Sequence, residues 1–144
     1  MAKVNTMSTY AQSKAKERQS KANLFSQKAH HIRDPLLTEH GRKQCQDLRD
    51  AFQHHDDISL VLASPLKRAI QTASHSFSPV LEKNQTQFLL VPLAQEISHL
   101  TCDLGVDREN VLNDAPGLAV EGAPAFNVDN LDLGLVGEDW NSKV

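Results

Sequence analysis

The chain has 144 residues, of which 40% are hydrophobic and 23% are charged, and its formal net charge is −3 at pH 7. This length and composition indicate one soluble globular domain, since two separate cores need a longer chain. The negative charge argues against a general nucleic-acid binder, and no apolar run approaches the length of a membrane span.

The charge is unevenly distributed along the chain. Residues 1–33 carry seven Lys or Arg and one acid, a net charge of +6. Residues 34–144 carry eight Lys or Arg and seventeen Asp or Glu, a net charge of −9. We therefore predict a flexible basic head over residues 1–22 and a folded domain over residues 23–144.

The first predicted helix covers residues 39–53. Thr38 is its expected N-cap, because a Thr hydroxyl can accept a backbone N–H from the first helical turn. Apolar residues recur at helical spacing and form one face of this helix. This face consists of Cys45, Leu48, Ala51 and Phe52. The polar residues 54–57 are expected to end the helix.

A nearly continuous apolar run over residues 58–63 predicts a strand that is buried on both faces of a parallel sheet. Ser64 follows as the expected N-cap of a second helix. Pro65 suits the first helical position, because its missing N–H needs no partner there. The helix is expected to stop before Pro79. Its apolar side consists of Leu66, Ala69, Ile70, Ala73 and Phe77.

A second strand is predicted over residues 87–91 and is closed by Pro92. The chain after Leu93 has the composition of a loop. Residues 103–144 are acidic, contain several Gly and Pro, and show only weak helix or strand signals. The alternation of helix and strand with short connections predicts an α/β fold with an open parallel sheet.

The turn between the first strand and the second helix is the strongest candidate site. Ligands bind at this edge of open α/β sheets, and a helix N-terminus favours a phosphate. Arg68 lies one turn into the helix, where its guanidinium can make two hydrogen bonds to a phosphate. Alternatively, Arg68 is a solvated side chain of an ordinary helix.

Glu96 follows the second predicted strand and is therefore expected near the same sheet edge. A carboxyl group beside a bound phosphate could protonate a leaving oxygen. The alternative is an exposed loop carboxylate without a catalytic role. We keep both interpretations open at this point.

The histidines and cysteines predict neither a metal site nor a cofactor. The histidine pairs at 30–31 and 54–55 are adjacent residues, whose side chains diverge on a helix or strand. His75 is expected on a helix surface, and His99 is expected in a loop, either solvated or facing the site. The two cysteines imply no disulfide framework, which indicates a reducing, cytoplasmic compartment.

Four stretches of the sequence carry motifs of one protein family. They are residues 34–44 (DPLLTEHGRKQ), 64–73 (SPLKRAIQTA), 93–96 (LAQE) and 139–143 (DWNSK). In this order and spacing the chain resembles the histidine phosphatase superfamily, on its phosphoglycerate mutase-like side. The last stretch resembles the fungal members. The resemblance implies an α/β fold with an open, Rossmann-like, three-layer sheet.

The resemblance also implies a mechanism. In that family a strand ends in Arg-His-Gly or Arg-His-Ala, and its His attacks phosphorus to form a phosphohistidine. Two arginines and a second His hold the phosphoryl oxygens, while a Glu protonates the leaving oxygen. By resemblance Arg68 is the second phosphate-binding arginine, and Glu96 is the proton donor. Ser64 and Asn23 correspond to phosphate-binding positions. The expected partner is a small phosphorylated metabolite, with no cofactor, nucleic acid or membrane.

The sequence departs from the family where the chemistry is carried. No Arg-His-Gly or Arg-His-Ala occurs, and residues 16–24 (KERQSKANL) echo the nucleophile segment with Lys16 and Glu17 in place of the Arg and His. The second His is not found either. We therefore expect a truncated domain without the nucleophile strand and the C-terminal strands, and no turnover by these residues alone.

Three functions remain open from the sequence. The first is a phosphatase or phosphomutase that missing segments complete. The second is an inactive relative that binds a phosphorylated ligand or a protein partner. The third is an α/β binding module with fortuitous motifs. Loss of phosphate binding on mutation of Arg68 would support the second function over the third.

Overall fold

The computed structural model describes Lys14, Lys16 and residues 31–82, 86–118 and 130–142. The predicted basic head, apart from its two lysines at 14 and 16, lies outside the described residues, and so does Asn23. In the described part of the chain, no helix is long and apolar enough to cross a membrane.

Three parallel strands form the sheet of the described residues, in the order β1-β2-β3. They are β1 (Leu60–Ala63), β2 (Gln87–Leu90) and β3 (Leu131–Asp132). In the register of the first pair, Val61 lies opposite Phe88 and Ala63 opposite Leu90. The parallel sheet confirms the predicted α/β class, because parallel neighbours require crossover connections such as helices.

Four α-helices accompany these strands within the described ranges. They are α1 (Glu39–Ala51), α2 (Lys67–Ser76), α3 (Ser78–Leu81) and α4 (Arg108–Asp114). α1 begins where the sequence predicts, and the Thr38 hydroxyl accepts the Gly41 N–H at 3.1 Å. α1 ends two residues earlier than predicted, because the backbone of Phe52 is extended (φ −80°, ψ 118°).

The start of α2 differs from the prediction. The helix begins at Lys67, and Leu66 occupies the N-cap with an extended backbone (φ −65°, ψ 136°). Ser64 is therefore not the N-cap, and its hydroxyl instead accepts the Leu66 N–H at 3.4 Å. Asp34 supplies the capping oxygen, because its Oδ1 accepts the Lys67 N–H at 2.9 Å.

The end of α2 confirms the stop before Pro79. The helix closes at Ser76, and the proline lies in the first turn of the short helix α3. His75, which the sequence places on the helix surface, is buried with 2% exposure. The helix is not a free surface helix, because α1 and β1 both pack against it.

The described residues form a hydrophobic core between the sheet and the helices that pack on it. Its large members include Leu66, Ile70, Phe88, Leu90 and Trp140. The prediction that β1 is buried on both faces is wrong. Val61 and Ala63 are buried, whereas Leu60 and Leu62 are 43% and 57% exposed. Only one face of this strand is covered by described residues.

The sequence did not predict two elements in the described C-terminal part of the chain. β3 has only two residues, opposite Phe88 and Leu89, and α4 has seven residues, of which only Val111 is buried. Elements this short do not complete enough periods to produce a recognisable hydrophobic pattern. Their position is decided by packing against β2 and the rest of the core.

Candidate functional site

The candidate site lies where β1 and β2 end. The two strands are parallel neighbours, so their carboxyl ends lie at the same edge of the sheet. Their pairing continues one residue beyond the strands, since the Val91 N–H donates to the Ala63 carbonyl at 2.7 Å. Arg68 follows β1 after a short turn, and Glu96 follows β2.

Arg68 reaches from α2 to the loop that follows Glu96. Its Nη1 donates to the Cys102 carbonyl at 2.6 Å, and its Nη2 donates to Asp103 Oδ1 at 2.7 Å. The side chains of Arg68 and Asp103 are 26% and 13% exposed. The guanidinium is therefore held in a partly buried ion pair and is not the solvated surface group of the alternative interpretation.

Asp103 is itself held by a second hydrogen bond. Ser98 Oγ donates to Asp103 Oδ2, while Oδ1 carries the contact to Arg68. Burial alone would raise the pKa of Asp103. The hydrogen bond from Ser98 and the positive charge of Arg68 outweigh burial and hold this pKa below its ordinary value. Asp103 is therefore a carboxylate at neutral pH.

A cavity of about 380 Å³ adjoins Arg68. It is lined by Leu37, Leu62, Ala63, Arg68, Ala69, Thr72, Ala73 and Phe77. Most of these residues are apolar, and Arg68 is the only one of them that carries a formal charge. This volume is in the range of small-molecule sites, which combine apolar walls with a few polar groups that fix orientation.

Asp34 occupies the N-terminus of α2. Its Oδ1 accepts the Lys67 N–H and its Oδ2 accepts the Val106 N–H at 3.2 Å. The residue is 2% exposed and has a left-handed backbone (φ 45°), which Asp tolerates better than most residues. Burial raises the pKa of Asp34, although the two backbone N–H groups oppose this effect.

The predicted phosphate site at this helix N-terminus is thus partly occupied by the chain itself. The Lys67 N–H is engaged by Asp34, and the Leu66 N–H by Ser64, which is 7% exposed. A role of Ser64 in phosphate binding stays a prediction. In the sequence, Asp34 stands out only because it begins the DPLLT motif. Nothing in the sequence predicts its contact with Lys67, 33 residues away.

Glu96 and His99 lie in exposed loop backbone after β2. Their apolar neighbours Leu93 and Ile97 are 96% and 94% exposed, so this stretch projects from the core. The structure brings the loop that contains Glu96 to the same sheet edge as Arg68. The proton-donor role of Glu96 stays a prediction, and so does the site position of Asn23.

The loop behind Arg68 is fastened by the C-terminal segment. Trp140 packs on Gly105, where an added Cβ would lie 2.0 Å from the indole Cη2 atom. Gln95 Nε2 donates to the Trp140 carbonyl at 3.1 Å, and Asn141 Nδ2 donates to the Gly105 carbonyl at 3.1 Å. Arg33 also donates to that carbonyl through Nε and Nη2. Sequence reasoning missed the role of Gly105.

Comparison with known protein families identifies the family of this chain. The family model of the histidine phosphatase superfamily (branch 1) matches residues 19–104. The chain belongs to the histidine phosphatase superfamily. The family predicted from the sequence motifs is confirmed, and the matched range includes Ser64, Arg68 and Glu96.

A curated relative and the solved structures complete the comparison. A protein of Schizosaccharomyces pombe named a probable phosphatase is 32% identical over 89 residues. The aligned region covers 61% of the present chain and 41% of the relative. The chain thus spans less than half the length of that relative. No solved structure matches the chain.

Proposed function

We propose that this chain carries the phosphate-recognition side of a histidine phosphatase site and acts on a small phosphorylated metabolite. The observation that carries the proposal is the position of Arg68. Its guanidinium is fixed at the sheet edge, and the residue is one of those that line a cavity of small-molecule size. A planar guanidinium matches the geometry of phosphoryl oxygens and can bind two of them at once.

The proposed chemistry is phosphoryl transfer through a phosphohistidine. A histidine nitrogen forms a bond to phosphorus while the bond from phosphorus to the leaving oxygen breaks. Arg68 stabilises the negative charge of the transferring group, and Glu96 gives its proton to the leaving oxygen. Water or another hydroxyl then takes the phosphoryl group and frees the histidine.

None of the motifs found in this sequence supplies the nucleophilic histidine. Neither Arg-His-Gly nor Arg-His-Ala occurs among the 144 residues. This observation favours a second candidate function, an inactive relative that binds a phosphorylated ligand or a protein partner through the same guanidinium. The two candidates share the phosphate subsite and differ only in turnover.

Two measurements on the full chain test the proposal. Isothermal titration with inorganic phosphate measures binding, and hydrolysis of p-nitrophenyl phosphate measures turnover. We expect Arg68→Ala to weaken phosphate binding at least tenfold, because a charge-assisted bidentate contact is lost, about 1.4 kcal/mol or more. Lys43→Ala is the matched control, since it removes one positive charge from an exposed side chain of α1.

Each outcome discriminates between the functions. Binding that depends on Arg68, accompanied by phosphohistidine formation, supports the enzyme. Binding that depends on Arg68 without turnover supports the inactive relative. Equal phosphate binding by wild type, Arg68→Ala and Lys43→Ala refutes the phosphate subsite altogether.

A further inference from the structure

We propose that Asp103 is the positioning residue of the phosphate site, which orients the Arg68 guanidinium toward the cavity. The inference rests on the proposed function, because it assigns a task to Arg68 as the group that binds phosphate. Asp103 is not one of the residues that line the cavity, but it contacts one of them, Arg68. It acts through Arg68 and not on the ligand.

The first argument is the way the guanidinium is fixed. Its two Nη atoms donate to two acceptors on adjacent residues, the Cys102 carbonyl and Asp103 Oδ1. A planar group held at two of its corners cannot turn about its own axis. The orientation of the guanidinium is thus set from the loop, and Arg68 is also one of the residues that line the cavity.

The second argument is that Asp103 is anchored independently of Arg68. The Ser98 hydroxyl holds the second carboxylate oxygen, and the adjacent loop is fastened through Gly105 to Trp140 and Asn141. An anchored carboxylate can impose an orientation on a flexible arginine, whereas an exposed and mobile carboxylate would follow it. The side chain of Asp103 is also less exposed than that of Arg68, 13% against 26%, as expected if Asp103 is the anchored partner.

The third argument is that donors of Arg68 remain for a ligand. Arginine has five N–H donors, and the contacts among the described residues use two of them. Asp103 and a phosphate can therefore bind the same guanidinium at different edges. In this arrangement the carboxylate supports anion binding, although its own charge repels an anion.

Geometry and charge therefore predict opposite effects on phosphate binding when the Asp103 carboxylate is removed. Removal of a carboxylate beside an anion site strengthens anion binding if charge alone matters. Removal of a positioning residue weakens it. Asp103→Asn removes the charge but keeps an oxygen for Arg68 and an amide for the Ser98 hydroxyl, so it separates the two effects.

The test is titration of the full chain with inorganic phosphate for wild type, Asp103→Ala and Asp103→Asn. We expect Asp103→Ala to weaken binding by about tenfold or more and Asp103→Asn by less than about threefold. Asp114→Asn is the matched control, because Asp114 pairs with Lys67, the neighbour of Arg68, and we expect no change. Trp140 fluorescence shows whether each variant is folded.

A second readout makes the inference independent of phosphate binding. In ¹⁵N NMR spectra of the arginine side chains, we expect two resolved Nη environments for Arg68 in wild type, which merge in Asp103→Ala. If wild type binds no phosphate, the proposed function is refuted, and the NMR spectra still decide whether Asp103 fixes Arg68. Tighter phosphate binding by both Asp103 variants, unchanged binding by Asp103→Ala, or a freely rotating guanidinium in wild type would overturn the inference.

Discussion

Replacement of Asp34 by alanine is expected to destabilise the fold substantially. The carboxylate accepts the N–H groups of Lys67 and Val106, and a buried donor that loses its acceptor costs about 1–3 kcal/mol. Relief of the buried charge offsets part of this loss, because burial raises the pKa of Asp34. We therefore expect the free energy of unfolding to fall by about 2–4 kcal/mol, out of the 5–15 kcal/mol typical of a domain.

Urea unfolding followed by the fluorescence of Trp140, the sole tryptophan of the chain, measures this change. Asp50→Ala is the matched control, since that carboxylate is 68% exposed in its pair with Arg49 and is expected to contribute less than about 1 kcal/mol. Asp34→Asn keeps one acceptor and should lie between wild type and Asp34→Ala. A loss for Asp34→Ala no larger than for Asp50→Ala would refute the assignment of Asp34 as the cap of α2.

The raised pKa of Asp34 adds a dependence on pH. A carboxyl group whose pKa is higher in the folded state than in the unfolded state binds its proton more readily when folded. Its favourable contribution is complete below the unfolded value of 3.8 and is lost as the pH rises through the folded value. The stability of wild type relative to Asp34→Asn should therefore increase as the pH falls from 7 toward 4, and no change would contradict this.

Two further predictions follow from buried contacts. Gly105→Ala places a methyl group 2.0 Å from the Trp140 ring. We therefore expect the free energy of unfolding, measured in urea, to fall by about 1–3 kcal/mol and the fluorescence emission of Trp140 to shift. An unchanged emission would contradict the contact. Burial, together with the charges of nearby arginines, lowers the pKa of His75 below its ordinary value of 6.5. The neutral imidazole therefore contributes fully to stability above pH 6.5, and this contribution is lost as the pH falls through the pKa of the folded state. Relative to His75→Gln, wild type should lose stability between pH 7 and 5 with a slope of up to about 1.4 kcal/mol per pH unit, and equal slopes for the two proteins would contradict this.

The sequence by itself determined the family and the main elements on either side of the site. The motif SPLKRAIQTA and the cap at Thr38 are local signals, and they identified the superfamily and the start of α1. Apolar runs also identified the cores of β1 and β2, because a strand in a parallel sheet carries its own hydrophobic pattern. Arg68 was found in the same way, as a charged residue just after a strand.

The tertiary structure alone decided which groups surround Arg68 and the start of α2. Asp34 caps a helix 33 residues away and contacts Val106 at a separation of 72, while Arg68 pairs with Asp103 at a separation of 35. No pattern in the neighbourhood of either partner specifies such contacts. For the same reason the sequence was wrong about the burial of His75 and about the exposed face of β1. Whether a helix or strand face is buried depends on which other element packs against it, and hydrophobic periodicity is only a local property of the chain.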